Sequence, residues 1–460
     1  GLSRPLYNPE SPRILDGRPL LYDAALTSSN GEASCSSCHV FADFDSLGWD
    51  LGNPDEPVVA STNPMGVIGS QQPFHPLKGP MTTQTLRGMD HHGPMHWRGD
   101  RTGGGAQALD EQLAFEAFNV AFEGLLGRDE GEIPAADMTA FADFILEVIL
   151  PPNPIRNLDN SLTGPQANGR DLYFNRAGTD AITQCNGCHV LDPLAGFFGT
   201  NGETTFENET QEFKVAHLSN AYQKVGMFGL PEIPFVNVPN AHQTHQGDQV
   251  RGFGYLHDGS IATVFDFLNA TVFVNLDQTE RADLEQFVFA FDTALAPIVG
   301  QQVTLTAANQ GNAGVSQRLD LLRQRADTSF VWADHPGVEE CDLTVKGNVG
   351  GLARGYLFDP ATNLYETDRA AEPALTDAAL RALAATPGQE LTYTCVPPGS
   401  GLRIALDRDD DTYRDRDELD FGSDPEDDAS IPVPEPAQAL LLATGAAALW
   451  LTRRRSESAI

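Results

Sequence analysis

Apolar positions along the chain gather into short periodic segments separated by long Gly- and Pro-containing stretches. Gly17-Arg18-Pro19-Leu20-Leu21-Tyr22 and Gly169-Arg170-Asp171-Leu172-Tyr173-Phe174 each predict a short helix, and they share one pattern. Leu319, Leu321 and Leu322 follow a polar turn and predict a helical linker over 301–330. Beyond it, Leu343-Thr344-Val345-Lys346 and Leu391-Thr392-Tyr393-Thr394 predict strands, flanking a helix from Thr376 to Ala385. Near the end a mostly apolar run extends from about Ala437 to Thr452, slightly short of the roughly 20 residues that span a bilayer.

The length of 460 residues suggests about three domains and real hydrophobic cores. A formal net charge of -35 sets the surface against nucleic acid and anionic lipid, and favours solubility and cationic partners.

The cysteines change the picture most. Four of the six lie in two copies of one motif, Cys35-Ser36-Ser37-Cys38-His39 and Cys185-Asn186-Gly187-Cys188-His189. C-x-x-C-H is the spacing of c-type haem attachment. Two thiols on one helical turn reach the two vinyl groups of a porphyrin, and the adjacent His points at the iron. A zinc site would want four ligands, and a thioredoxin-like pair would want a βαβ context and no His. The surroundings repeat as well. Each motif follows a Gly-Arg helix, and in each half a Leu precedes a Met by nine residues: Leu86 and Met95, then Leu218 and Met227. The expectation is a mainly α protein with two tandem cytochrome c domains, over 1–150 and 151–300, and two covalently bound haems. Haem attachment of this kind takes place outside the cytoplasm. A chain that opens at Gly1 without an apolar leader therefore reads as processed or truncated.

The sixth ligand of each iron separates electron transfer from catalysis. For the first haem the candidates are His75, His91, His92, Met95 and His96, all in a Gly- and Pro-rich region. For the second they are Met227 and His257.

Together these motifs resemble the bacterial dihaem cytochrome c peroxidase and MauG superfamily, over roughly residues 12–300. His75-Pro76-Leu77-Lys78-Gly79-Pro80, with Thr85-Leu86-Arg87, resembles the family segment that carries a reversible distal His, which implies His75. Met95-His96-Trp97-Arg98-Gly99-Asp100 resembles the stretch whose Trp lies between the haems, implying Trp97 as electron bridge. Phe213 to Asn220 is similar to F-K-V-P-T-L-R-N, and Tyr255 to Ser260 is similar to Y-F-H-D-G-S. The family's second-haem Met falls at Thr271 here, which leaves Met227 in that role. For the family's catalytic Glu the resemblance offers two candidates, Glu123 and Glu116, and either also reads as an exposed carboxylate on a helix. The resemblance implies peroxide reduction at the first haem, fed with electrons from the second and from a small redox protein.

The last third carries separate chemistry. Residues 331–430 read as a small α+β module, in which Cys341 and Cys395 are the remaining pair and a plausible disulfide in an oxidising compartment. Asp407, Asp409, Asp411, Asp415 and Glu418 fall at positions 1, 3, 5, 9 and 12 of an EF-hand-like calcium loop, and Tyr413 offers its carbonyl at position 7. Thr412 stands at position 6, where Gly is usual. The loop resembles those of dockerin-like and thrombospondin-type repeats. Residues 431–460, with Val433-Pro434-Glu435-Pro436, the apolar run and Arg453 to Arg455, resemble the PEP-CTERM sorting signal. That resemblance implies the periplasm or cell surface of a Gram-negative bacterium, with membrane contact through the tail alone.

Overall fold

The computed structural model describes residues 7–51, 57, 81–93, 95–97, 101, 110–179, 184–192, 197–198, 213–224, 254–257, 259, 261, 263–270, 273, 275–331 and 337–432. It divides into two compact units: residues 10–298 with 329–338, and residues 1–9, 299–328 and 339–460. The first unit is mainly helical, and the second is built on a five-stranded sheet.

In the helical unit each half contributes one helix pair. Helix α1 (Pro12–Tyr22) packs on α2 (Ala135–Leu146), and α3 (Gly164–Asn175) packs on α4 (Gln278–Phe289). Local sequence sets their starts. The Ser11 hydroxyl accepts from Ile14 N at 3.3 Å with Pro12 at the first helical position, and Thr163 and Asp277 form capping boxes with Gln166 and Glu280. The repeated glycines sit at the crossings. A Cβ at Gly17 would collide with the Ala140 carbonyl and Phe144 Cβ, and one at Gly169 would collide with the Asp283 carbonyl and Phe287 Cβ. Only a residue without a side chain lets the backbones come this close. The first pair buries Leu21, Phe115, Phe122, Phe141 and Ile145. The second buries Tyr173 edge-on against Phe287 and Phe291, with centroids 5.4 and 5.3 Å apart.

The two halves, expected as separate domains meeting at residue 150, form one unit. Backbone hydrogen bonds cross between them: Thr82 N donates to His257 O at 2.6 Å and Lys214 N to Trp97 O at 2.8 Å.

The second unit contains β1 (Gln302–Leu305), α5 (Ala313–Arg325), β2 (Asp342–Val349), β3 (Leu352–Asp359), β4 (Leu364–Thr367), α6 (Asp377–Leu383), β5 (Leu391–Val396) and α7 (Asp415–Phe421). The strand order is β4-β3-β2-β5-β1, and all neighbours are antiparallel. On β5, Leu391, Tyr393 and Cys395 are buried, while Thr392 faces the other way and bonds Thr304 at 3.0 Å. Residues 301–330 are therefore not a helical linker. They supply an edge strand and a packing helix to the module, which reaches back to residue 299. The strand escapes sequence reading because four residues are too few to establish a period of two. Cys341 and Cys395 form a disulfide with Cα atoms 5.3 Å apart. Among the described residues no helix is long and apolar enough to cross a membrane. The tail from residue 433 lies outside the described residues.

Candidate functional site

Both C-x-x-C-H motifs fold as a single helical turn. Cys35–Ser37 is a 3-10 turn and Cys185–Cys188 an α-turn. The amides of His39 and His189 close these turns onto the Cys35 and Cys185 carbonyls, both at 2.9 Å. The two sulfurs of each motif thus belong to one turn, followed directly by the imidazole. Burial pushes the Cys35 thiol up to about 12.

The two imidazoles are held alike. His39 Nδ1 donates to the Gln84 carbonyl at 2.8 Å, and His189 Nδ1 donates to the Ala216 carbonyl at 2.7 Å. A carbonyl only accepts, so Nδ1 carries the proton and Nε2 is the nitrogen suited to a metal. Burial lowers the His39 pKa and favours this neutral form. Gln84 and Ala216 immediately precede Thr85-Leu86 and His217-Leu218, so the repeat in the sequence is also a repeat of the anchoring geometry. In the second half, the Tyr173 hydroxyl also donates to the His189 carbonyl.

Each motif opens into a cavity. The first, about 570 Å³, is lined by Cys35, Cys38 and His39 together with Leu86, Met95 and Phe141. The second, about 620 Å³, is lined by Cys185, Cys188 and His189 together with Tyr255, Phe267 and Leu284. These volumes fall in the range of about 300–1,000 Å³ typical of cofactor sites. Apolar walls, a thiol pair and a carbonyl-anchored imidazole are the donor set a c-type haem requires, so the residues fit the group.

Trp97, Lys214 and His217 line both cavities. The Trp97 ring is 6% exposed, and its Nε1 donates to Thr82 O at 2.8 Å. The ammonium groups of Lys214 and Lys224 lie 5.9 and 5.8 Å from its ring centroid. Burial lowers their pKa values to about 7 and about 8, and at Lys214 the neighbouring Lys224 charge adds to the effect.

The expected sixth ligands have mixed outcomes. His75, Met227 and Thr271 lie outside the described residues. Met95, His92 and His96 line the first cavity, and His257 lines the second, stacked on Phe213 with centroids 3.7 Å apart. His91 Nε2 lies 3.2 Å from Asp90 Oδ2, and His91 is not part of the lining.

Glu123 is exposed on the short helix Val120–Gly124, which turns Phe122 inward, as expected of a carboxylate on a helix surface. Glu116 accepts from the Thr139 hydroxyl at 2.7 Å. Glu111 accepts from Gly93 N, next to His92, at 3.2 Å, and burial raises its pKa. Sequence reading missed it because a Glu directly after Asp110 looks like a helix-start residue. His217 was missed as well. It occupies the place of Thr85 in the repeat, and its ring packs 4.3 Å from that of His92.

In the sheet unit, Asp407, Asp409 and Asp411 converge, with carboxylate oxygens within 4.8 Å of one another. Thr412 adopts φ 81°, the left-handed conformation for which Gly is usual at that position. Tyr413 N donates to Asp411 Oδ1 at 2.7 Å, and its side chain is exposed. Asp415 departs from the expected ligand set. Arg408 occupies both its oxygens, through its backbone N at 2.9 Å and its Nε at 3.0 Å.

No family model matches the chain, and no curated protein does. Among solved structures, the chain is similar to a hydrazine synthase of Kuenenia stuttgartiensis pressurised with xenon, at 20% identity and a TM-score of 0.37, covering 63% of this chain and 90% of that one. It is also similar to a MauG-like protein associated with microbial copper homeostasis, at 18% identity and a TM-score of 0.33, covering 63% of this chain and 91% of that one.

Proposed function

We propose that this chain is an exported dihaem c-type cytochrome that relays electrons between two haems across Trp97. The observation that carries the reading is the shared wall: two cavities, each with a C-x-x-C-H turn and a carbonyl-anchored His, both bordered by Trp97. Cys35 and Cys38 would hold one haem and Cys185 and Cys188 the other, with His39 and His189 as proximal ligands. Bound haem iron supplies the one-electron chemistry. The chain orients both imidazoles, keeps water from the apolar walls, and sets a buried aromatic ring between the sites. Lys214 and Lys224 place positive charge at the same wall, where negative groups on a cofactor would be offset.

The finer reading is peroxide reduction at the first cavity, with His75 as a displaceable ligand and a small redox protein as donor. The charge of -35 favours a donor with a cationic face. Thioether attachment of haem and the residues from 433 onward are the grounds for the periplasm or cell surface as location. A second reading, two six-coordinate haems that only carry electrons, is favoured by Met95, His92 and His96 at the first cavity and by the outward position of Glu123.

The test is the optical and EPR spectrum of the half-reduced holoprotein, before and after peroxide. A high-spin first haem that reacts with peroxide supports reduction there. Two low-spin haems inert to peroxide sink the enzyme and leave the relay. A pyridine haemochrome assay that counts fewer than two haems per chain would overturn both.

A further inference from the structure

The acidic loop of the sheet unit carries an inference independent of the haems. Asp407, Asp409 and Glu418 are buried at 5%, 0% and 0% exposure. Asp407 Oδ1, both carboxylate oxygens of Asp409, Asp411 Oδ2 and both oxygens of Glu418 are buried with no hydrogen-bond partner. Buried carboxylates without partners are costly, and folded proteins pair them or place them on a metal.

The loop's own cations are committed elsewhere. Arg408 binds Asp415 and Glu426, Arg414 binds Glu366, and Arg416 binds Asp420. Three guanidinium groups thus lie within the run 407–418, and none is paired with Asp407, Asp409, Asp411 or Glu418 in these ion pairs. The backbone is shaped for the same end. Thr412 N donates to Asp407 Oδ2 at 3.0 Å and the left-handed turn at Thr412 folds the loop back on itself.

We infer that Asp407, Asp409, Asp411 and Glu418 together bind one calcium ion, and that the ion fastens α7 to this loop. Four hard carboxylates, drawn from a run of twelve residues with an irregular turn, suit a cation that accepts six to eight oxygens in flexible geometry. Magnesium demands a near-ideal octahedron and keeps most of its water, which a buried four-carboxylate site does not accommodate. Asp415 contributes by holding Arg408 away from the other four.

The test uses the full-length holoprotein, treated with chelator and dialysed. Isothermal titration with calcium chloride is expected to show one site per chain, with magnesium chloride far weaker. Scanning calorimetry is expected to show one transition raised by about 5 °C in excess calcium. The variant carrying Asp409→Asn and Glu418→Gln should lose the calcium heat and the shift. Absence of heat and shift in the wild type at millimolar calcium overturns the site. Equal affinity for magnesium overturns its assignment to calcium, and undiminished calcium binding by the variant overturns the ligand set.

Discussion

The rings of His92 and His217 meet with centroids 4.3 Å apart, one residue from each half of the helical unit, and His92 Nε2 also reaches the Ser219 hydroxyl at 3.3 Å. His92 is buried at 8% exposure and His217 is half-buried. Burial, with the Lys214 charge as a second cause, pushes His92 down to about 3, and burial holds His217 well below the ordinary value for histidine. A histidine whose folded pKa is depressed gives its full stability above the unfolded value of about 6.5 and loses it as pH falls toward the folded value. Each such histidine therefore costs about 2 kcal/mol of stability between pH 7 and pH 5. Denaturant unfolding of wild type and His217→Leu at both pH values checks this. The variant's loss should be smaller by about that amount, and equal losses would refute the account.

Gly17 and Gly169 make a paired prediction. Adding one methyl group at either position meets a carbonyl oxygen across a helix crossing. Because backbone cannot swing aside as a side chain can, Gly17→Ala and Gly169→Ala should each cost about 2 kcal/mol or more. Thermal unfolding measures it. Gly164→Ala, at a site with nothing within 4 Å, is the control and should stay near wild type.

Trp97→Phe keeps an aromatic ring at the wall but removes the indole N–H from the Thr82 carbonyl. The stability cost should be about 1–2 kcal/mol, the price of one buried hydrogen bond and some lost packing. On the proposed relay, both haem spectra should persist while the electron exchange between the haems slows. Flash-induced reduction of one haem followed optically reads that rate, and an unchanged rate would remove Trp97 from the path.

The disulfide between Cys341 and Cys395 closes a loop over a separation of 54 residues in the sheet unit. Replacing both by Ala should lower stability by about 2–4 kcal/mol. The loss belongs to one calorimetric transition, and the haem content of the double variant should match wild type. A fall in haem content would show that the cross-link acts on the helical unit as well.

What was legible in the chain was local. C-x-x-C-H needs only five adjacent residues, and the Gly-Arg helices and the acidic run declare themselves within a dozen. The disulfide partners were the two cysteines the motifs left over. Features that depend on chain closure were not legible. Strand β1 becomes a strand only by pairing Leu305 with Leu391, far along the chain. Glu123 and Glu111 differ in which way a short helix is turned, which no spacing specifies. Asp415 has a calcium ligand's position in the sequence, and Arg408 withdraws it.

The carbonyl anchors of His39 and His189 have a consequence for how such halves diverge. The anchor lies 45 residues from the imidazole in the first half and 27 in the second. Closing the longer excursion costs only about 0.5 kcal/mol more, since closure entropy grows with the logarithm of length. The intervening chain is thus nearly free to lengthen, shorten or be exchanged, provided it returns one carbonyl to one nitrogen. Equivalence between the halves is an address on the backbone, and a count of residues is a poor guide to it.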